Sequence, residues 1–597
     1  MKQYDVSQNV ALFVSALIDE LLRCGVTDVV ISPGSRSTAL AMVAYESELN
    51  IHIDIDERGA AFFALGLAKA SGRPVGLICT SGTAVANYYP AVVEAESSRV
   101  PLIVMTGDRP PRLQNLGAPQ TGNQLNAFGS HVRFFQQMPL PGSHEEEIAC
   151  ARQMAIEAFS QAVGSQATLN DAGEPWYGCI SDAGPVHLNF PFEEPLTPDL
   201  QVEGLFGVGR TKEETFEEDF SVILSSAYPD KRTISCLMHL MDEKRVVVIC
   251  GEGTCINQAE RQLVIAWAQL LGLPLLADPL STLRSSDSAF IIDNYDNIFR
   301  RHDCPEADVI IRFGRWPISK SCFSSPMAKR AIQIVVDSYQ TRDFNSATDV
   351  FIKCTPAAFV AAQMVEIQDN LPTKTDDQAS FAEKWIQLNH EADEVISQVK
   401  DIKSDFEGSY IHQLFDLTPH DSCVFSANSM AIRMIDTFYQ KKDKNISVLC
   451  NRGLNGIDGC TSSAIGAAYC YDQTTLVTGD LAFLHDINAL SLHHEITQFK
   501  QDVPAVIIMV FNNKGGAIFE TLPQQSEDPY FERLFITPQN IDFSSIVQGF
   551  NIPYIKVQSV VNFTEAYQAF LGKKGLHVIE IEVSRKDLKE RYGNFLA

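Results

Sequence analysis

Two short polar groups in this sequence have the residue types that hold a metal-bound diphosphate. Thr478-Gly479-Asp480-Leu481-Ala482 offers a carboxylate, and Asn512-Asn513-Lys514-Gly515-Gly516 offers carboxamides on a glycine-rich backbone; Asn513 follows Asp480 by 33 positions. The apolar runs Thr475-Leu476-Val477 and Val506–Phe511 lead into them. Both groups therefore stand where buried parallel strands end, the place where α/β sheets keep their ligands. Hard oxygen donors of this kind suit Mg²⁺ or Ca²⁺ and leave coordination positions open for phosphate oxygens. Taken alone, a Gly-Asp after a strand is a common turn and Asn-Asn a common loop pair. Their pairing across one helical crossover is what points to a ligand.

The elements that must hold these groups read as three α/β units. In the first, a helical apolar stripe covers Val10–Leu22, with Ser7 as cap and Gly25 as stop. Strands follow at Val29–Ile31, Ile51–Ile55, Val75–Cys79, Leu102–Met105 and Val186–Phe190, with helices near Thr38–Tyr45, Gly59–Ala70 and Ala84–Glu94. Residues 141–184 are polar and read as an irregular insertion. The second unit has apolar runs at Val246–Cys250, Leu275–Ala277, Val309–Ile311 and Ile332–Val336. Its Gly251-Glu252-Gly253 lacks the third glycine of a dinucleotide fingerprint and reads as a tight turn. The third has runs at Cys423–Phe425, Ser447–Leu449, Leu476-Val477, Val506–Phe511 and Val578–Ile581. Short apolar strands separated by helices predict doubly wound parallel sheets. The expected divisions are 1–195, a linker over 196–235, 236–365, a charged helical connector over 366–404, and 405–597.

Composition narrows the function. Hydrophobic content of 45% and charged content of 20% are those of an ordinary globular chain. No run approaches 18 apolar residues, so no membrane span is expected. Met1-Lys2-Gln3-Tyr4-Asp5 is neither a secretory signal nor an Arg-rich transit segment. Fourteen cysteines without a Cys-x-x-Cys pair predict a reduced, cytoplasmic protein with neither structural zinc nor disulfides. Cys24, Cys79 and Cys250 sit in apolar contexts, as small buried hydrophobes do. The net charge of −27 speaks against nucleic acid and anionic membranes as partners. It would also repel anionic substrates unless basic residues are gathered locally.

The Gly-Asp and Asn-Asn groups resemble the diphosphate-binding signature of thiamine diphosphate enzymes. In that class a glutamate hydrogen-bonds the aminopyrimidine N1′ of the cofactor, and it belongs at a strand end in an apolar setting that raises its proton affinity. Glu57 fits, because Asp56-Glu57-Arg58-Gly59-Ala60-Ala61-Phe62-Phe63 resembles the glutamate helix of the class. Thr80-Ser81-Gly82-Thr83-Ala84 resembles its neighbouring cofactor loop. An acidic residue at a helix start is otherwise only a favourable dipole partner.

Within the class, the chain is similar over nearly its whole length to the 2-succinyl-5-enolpyruvyl-6-hydroxy-3-cyclohexene-1-carboxylate (SEPHCHC) synthase family. Ile31–Ser37, Gly107–Pro111, Asn451–Gly459 and Asn512–Phe519 carry the likeness, as does Leu481, since this family has Gly-Asp-Leu. The resemblance implies thiamine diphosphate with Mg²⁺, or Mn²⁺ in its place. It implies decarboxylation of 2-oxoglutarate and 1,4-addition of the succinyl carbanion equivalent to isochorismate, in menaquinone biosynthesis. Glu57 is then catalytic, and Asp480, Asn513 and the Gly515 carbonyl hold the metal. Thr80, Gly82, Leu481 and Ala482 meet the cofactor, Ile457 wedges between its rings, and Ile518, Phe519 and Leu522 shape the acyl pocket. Ser35, Arg36, Arg109, Gln120, Lys320, Ser429, Arg433 and Arg452 meet the substrates, with Pro119 where the family has a polar residue. Forked guanidinium groups suit carboxylates. Active sites would lie between subunits of a homodimer or homotetramer. Another thiamine diphosphate-dependent 2-oxoacid decarboxylase or carboligase is the alternative, and a catalytically silent binder of the cofactor is the alternative from a different class.

Overall fold

A computed structural model describes residues 5–210, 227–369, 373–401 and 406–595. Parts of the expected linker and connector (211–226, 370–372 and 402–404) and the start of the chain (1–4) lie outside the described residues.

Three six-stranded parallel sheets follow one another. The N-terminal sheet has β1 (Asp28–Ile31), β2 (Asn50–Ile53), β3 (Val75–Cys79), β4 (Leu102–Asp108) and β5 (Phe134–Gln137). A separate antiparallel hairpin of β6 (Thr168–Leu169) and β7 (Pro175–Trp176) precedes its last strand, β8 (Pro185–Pro191). Its order is β2-β1-β3-β4-β8-β5. The central sheet comprises β9 (Val246–Cys250), β10 (Leu275–Ala277), β11 (Ile291–Ile292), β12 (Val309–Phe313), β13 (Ile332–Val336) and β14 (Val350–Ile352). The C-terminal sheet comprises β15 (Cys423–Ser426), β16 (Ser447–Cys450), β17 (Thr474–Gly479), β18 (Ala505–Asn512), β19 (Tyr554–Val557) and β20 (Gly575–Glu582). Its order is β16-β15-β17-β18-β20-β19, so β17 and β18 are neighbours and their two polar ends lie side by side.

Several local expectations are corrected. Asp5, not Ser7, caps the first helix, because Asp5 and Gln8 close a capping box that leaves Ser7 inside the first turn. Residues 141–184 contain a 19-residue helix, Glu145–Val163, whose buried face is largely alanine (Ala151, Ala155, Ala158, Ala162). The expected helix Ala84–Glu94 is two, Thr83–Asn87 and Tyr89–Ser98, with Pro90 in the first turn of the second. β2 ends at Ile53, since Asp54 and Asp56 turn the chain into the next helix. The Gly251 turn closes as read, with the Thr254 N–H donating to Gly251 O at 3.2 Å. His493 and His494 lie in the helix Leu492–Gln498 that lengthens the crossover between β17 and β18. Within 196–210, Leu196, Leu200, Val202, Phe206 and Val208 pack against the N-terminal core.

The two terminal sheets share one hydrophobic core. Phe62, Phe63, Val104, Phe425, Ile465 and Ile508 all belong to it. At its centre the helix Glu57–Ser71 lies on the helix Cys460–Ala467. A Cβ at Gly66 would collide with the Ser463 carbonyl, and one at Gly466 with the Phe63 carbonyl. Only hydrogen at these positions lets the backbones approach so closely. No helix among the described residues is long and apolar enough to cross a membrane.

Candidate active site

Loops at the carboxyl ends of β1, β3, β4 and β8 meet at one edge of the N-terminal unit. After β1, Ser35 is exposed and Arg36 buried. The Arg36 N–H donates to Thr80 Oγ1 at 3.1 Å, and its guanidinium to Phe192 O (3.1 Å) and Glu194 (3.0 Å) just past β8. After β3, Gly82 adopts φ 87°, a left-handed value that suits glycine. After β4, the Arg109 guanidinium donates to Ser81 Oγ and to Gln120 O, the latter at 2.8 Å. The exposed Gln120 in turn donates to Ser81 O at 3.1 Å. Burial, and then the neighbouring charge of Arg36, lower the proton affinity of Arg109. Two cations held this close favour an anion between them.

Glu57 opens its helix behind Asp56, which caps it by accepting the Arg58 N–H at 3.1 Å. Its carboxylate is half-buried and accepts one long bond, 3.5 Å, from Asn87. The apolar enclosure expected for Glu57 is thus not built by this chain's own elements, which set the acids Asp54 and Asp56 beside it. Asp54 is buried, its Oδ2 has no partner among the described residues, and burial first, then Asp56, Asp486 and Glu57, push its pKa up to about 7. A carboxyl that holds its proton more tightly folded than unfolded weakens the fold as pH rises from the unfolded value, about 4, toward 7. Asp54→Asn should therefore stabilise the protein, with a gap over wild type that widens from pH 5 to pH 8 to roughly 2–4 kcal/mol in denaturant titrations. A gap unaltered by pH would count against the buried charge.

At the C-terminal sheet, Asp480 is the first residue of the helix Asp480–His485 and is buried. Its Oδ2 accepts the Gly515 N–H at 2.8 Å and its Oδ1 the Leu481 N–H at 2.9 Å. Burial pushes its pKa up to about 6, a penalty that a bound cation would relieve. Asn513 Oδ1 is buried with no hydrogen-bond partner among the described residues. A buried amide oxygen left bare is costly unless something binds it. Among the described residues no cluster of three His, Cys, Asp or Glu side chains could hold a metal, so a cation here must draw on amide and backbone oxygens. The donor set therefore fits a divalent cation. Lys514 (φ 61°) and Gly515 (φ 144°) wrap the loop, and the Gly516 N–H donates to Ile536 O at 2.8 Å. Ala482 is buried, whereas Leu481, Ile518, Phe519 and Leu522 are half-buried, and Phe519 packs on Phe535 at 5.4 Å.

A second basic pair stands beside this set. Arg433 donates to Ser429 O at 2.5 Å and Arg452 to Asn428 Oδ1 at 2.8 Å; burial, then Arg452, lower the proton affinity of Arg433. All three units grip the Arg452 loop. Glu94, on the N-terminal helix Tyr89–Ser98, accepts the consecutive N–H groups of Gly453 and Leu454, each at 2.7 Å. Arg315 of the central unit donates to Arg452 O at 2.9 Å and pairs with Glu252 (3.1 Å), which lies 3.5 Å from the buried Lys69. Ile457 further along the loop is half-buried against the C-terminal core. Lys320 is exposed at the start of the helix Lys320–Ser324 of the central unit.

Comparison with known proteins gives the frame for these groups. Residues 13–127 match the family described as "Thiamine pyrophosphate enzyme, N-terminal TPP binding domain", and 433–581 match its "C-terminal TPP binding domain". A 2-succinyl-5-enolpyruvyl-6-hydroxy-3-cyclohexene-1-carboxylate synthase of Bacillus velezensis is 39% identical over 583 residues, covering 96% of this chain and 95% of the relative. Proteins of the same name from Bacillus cytotoxicus (37%, 96% and 94%) and Listeria innocua (37%, 97% and 96%) match similarly. The chain belongs to the SEPHCHC synthase family. As in the sequence reading, this member has three parallel-sheet units. Two sets of predicted residues come together: Ser35, Arg36, Thr80, Gly82, Arg109 and Gln120 at the N-terminal sheet, and Asp480, Asn513 and Gly515 with their neighbours at the C-terminal one. Glu94 is a functional residue outside the motifs. Its signal is a glutamate inside the otherwise apolar run Ala91-Val92-Val93-Glu94-Ala95, where a buried acid must have partners.

Proposed function

We propose that this SEPHCHC synthase family member uses thiamine diphosphate and Mg²⁺ (or Mn²⁺) to decarboxylate 2-oxoglutarate and add the succinyl unit in 1,4 fashion to isochorismate, a step of menaquinone biosynthesis. One observation carries the substrate class: a chain of net charge −27 holds two arginine pairs, Arg36 with Arg109 and Arg433 with Arg452, each close enough to depress a partner's proton affinity. Cations are kept at such a cost where anions bind. Thiamine diphosphate, when bound, supplies the electron sink for decarboxylation. The protein's part is placement and proton control. Glu57 exchanges a proton with the aminopyrimidine N1′. Asp480, Asn513 Oδ1 and the Gly515 carbonyl hold the cation, and Thr80, Gly82, Leu481 and Ala482 line the cofactor. Ile457 would pack against the rings of the bound cofactor, while Ile518, Phe519 and Leu522 would enclose the acyl chain. Ser35, Gln120, Ser429 and Lys320 join the four arginines on the carboxylates.

The half-buried Glu57 supports a homodimer or homotetramer in which a second copy completes its enclosure. The divisions 1–195, 236–365 and 405–597 then act as cofactor-ring, central and diphosphate units. Fourteen free cysteines accord with a reducing cytoplasm. The test mixes purified protein, thiamine diphosphate, Mg²⁺ and 2-oxoglutarate with or without isochorismate, and follows isochorismate loss and product mass. Formation of the succinyl adduct supports the proposal. CO₂ release indifferent to isochorismate would make the protein a decarboxylase, and no cofactor-dependent turnover would make it a silent binder.

A further inference from the structure

Between the Gly82 loop and the Arg109 loop lies a buried amide network that none of the assigned roles uses. Gln124 is 3% exposed and lines, with Gly82 and Gln120, a cavity of about 670 Å³. Its Oε1 accepts the Gly82 N–H at 3.0 Å, and its Nε2 donates to Gly107 O (3.2 Å) and Asn189 Oδ1 (2.7 Å). Asn189, on β8 and fully buried, uses all four of its hydrogen-bonding positions. Its Oδ1 also accepts from Thr106 Oγ1 (2.7 Å), and its Nδ2 donates to Asp108 Oδ2 (2.9 Å) and Gln137 Oε1 (2.7 Å). Asp108 Oδ1 accepts the Arg109 N–H at 2.7 Å.

The orientation of each group dictates the next. Because Oε1 of Gln124 faces the Gly82 N–H, its NH₂ must face Asn189 Oδ1. The NH₂ of Asn189 then faces Asp108, which is left to accept from Arg109. We infer that Gln124 is a positioning residue that locks the Gly82 loop and the Arg109 loop into one geometry, so that the cofactor site and a substrate carboxylate site are set together. The inference rests on the proposed roles of Gly82 and Arg109. A fully satisfied buried network is rigid, and a single reversed dipole in it leaves buried groups facing like groups.

Two substitutions of similar size separate the two ends. Gln124→Glu keeps an acceptor for Gly82 but replaces the donor to Gly107 O and Asn189 by a second acceptor. It should leave thiamine diphosphate affinity, measured by calorimetry with Mg²⁺ present, within about threefold, and raise KM for one carboxylate substrate by about 10–100-fold at pH 8, with kcat less affected. Lowering the pH to about 6 should shrink that loss, since a protonated glutamic acid can donate again. Gln124→Met, with no polar atom, should weaken thiamine diphosphate about tenfold as well. A merely structural glutamine would lower the melting temperature without this split or this pH dependence. Unchanged KM values in the Glu variant, or unchanged cofactor affinity in the Met variant, would overturn the inference. If the Glu variant does not fold, the Met variant decides by calorimetry alone. A wild type that binds thiamine diphosphate but ignores isochorismate would sink the functional proposal while leaving this calorimetric arm intact.

Discussion

Replacing Glu57 by glutamine should lower kcat by about 10²–10⁴-fold, the range expected when one positioned acid–base group is lost. The substitution keeps size and leaves an oxygen for Asn87, which donates to Glu57 at 3.5 Å. It also removes one negative charge from a helix start already holding Asp54 and Asp56, so the melting temperature should hold or rise. Cofactor affinity, read by calorimetry, should fall by much less than kcat, because the change is to proton exchange and not to the diphosphate clamp. The measurement is isochorismate consumption with both substrates saturating. A variant within tenfold of wild type would remove Glu57 from the chemistry and with it the assignment of the Glu57–Ser71 helix as the catalytic one.

Asp480→Asn is the second large effect. Asparagine can still accept the Gly515 or Leu481 N–H through its one oxygen, so the turn between β17 and the helix Asp480–His485 has a way to persist. It cannot offer a full negative charge to a cation. Apparent Mg²⁺ affinity should fall at least about 100-fold, which corresponds to ~2.7 kcal/mol. Thiamine diphosphate binding should respond only to much higher Mg²⁺ in calorimetry, and turnover should recover only in part there. Asn513→Leu is the informative companion. It deletes the bare Oδ1 and should weaken Mg²⁺ in the same direction, without the loss of charge. Undiminished Mg²⁺ dependence in both variants would move the metal elsewhere.

These residues differ in how far the sequence discloses them. Asp480 and Asn513 are legible because each follows an unbroken apolar run, and such runs mark buried parallel strands. The same rule passes over β5, whose four residues are all half-buried, and β19, of which only Val557 is buried. These two edge strands lack the continuous apolar signal. The helix Glu145–Val163 leaves a weak sequence signal for a related reason, since alanine makes an effective buried face with little contrast to its surroundings. Glu94 and Gln124 show the remaining limit. The loop Glu94 supports is 359 positions away, and Gln124 meets Gly82 at 42 and Asn189 at 65. A buried polar residue advertises that it needs partners, but only the folded chain says which.

The core common to the two terminal sheets has a consequence for synthesis. Phe62 O accepts from Ser463 Oγ across 401 positions of chain. Translation at about 5–20 residues per second leaves an interval of roughly 20–80 s between the emergence of the two helices. During that time the side of the Glu57–Ser71 helix that meets Cys460–Ala467 has no partner of its own chain. The N-terminal sheet can form early, yet it cannot hide this face until the last third of the protein has left the ribosome. A nascent chain held in this state offers a sticky surface next to Glu57. Chaperone capture there, or premature pairing with another nascent copy, is the hazard that this architecture builds in.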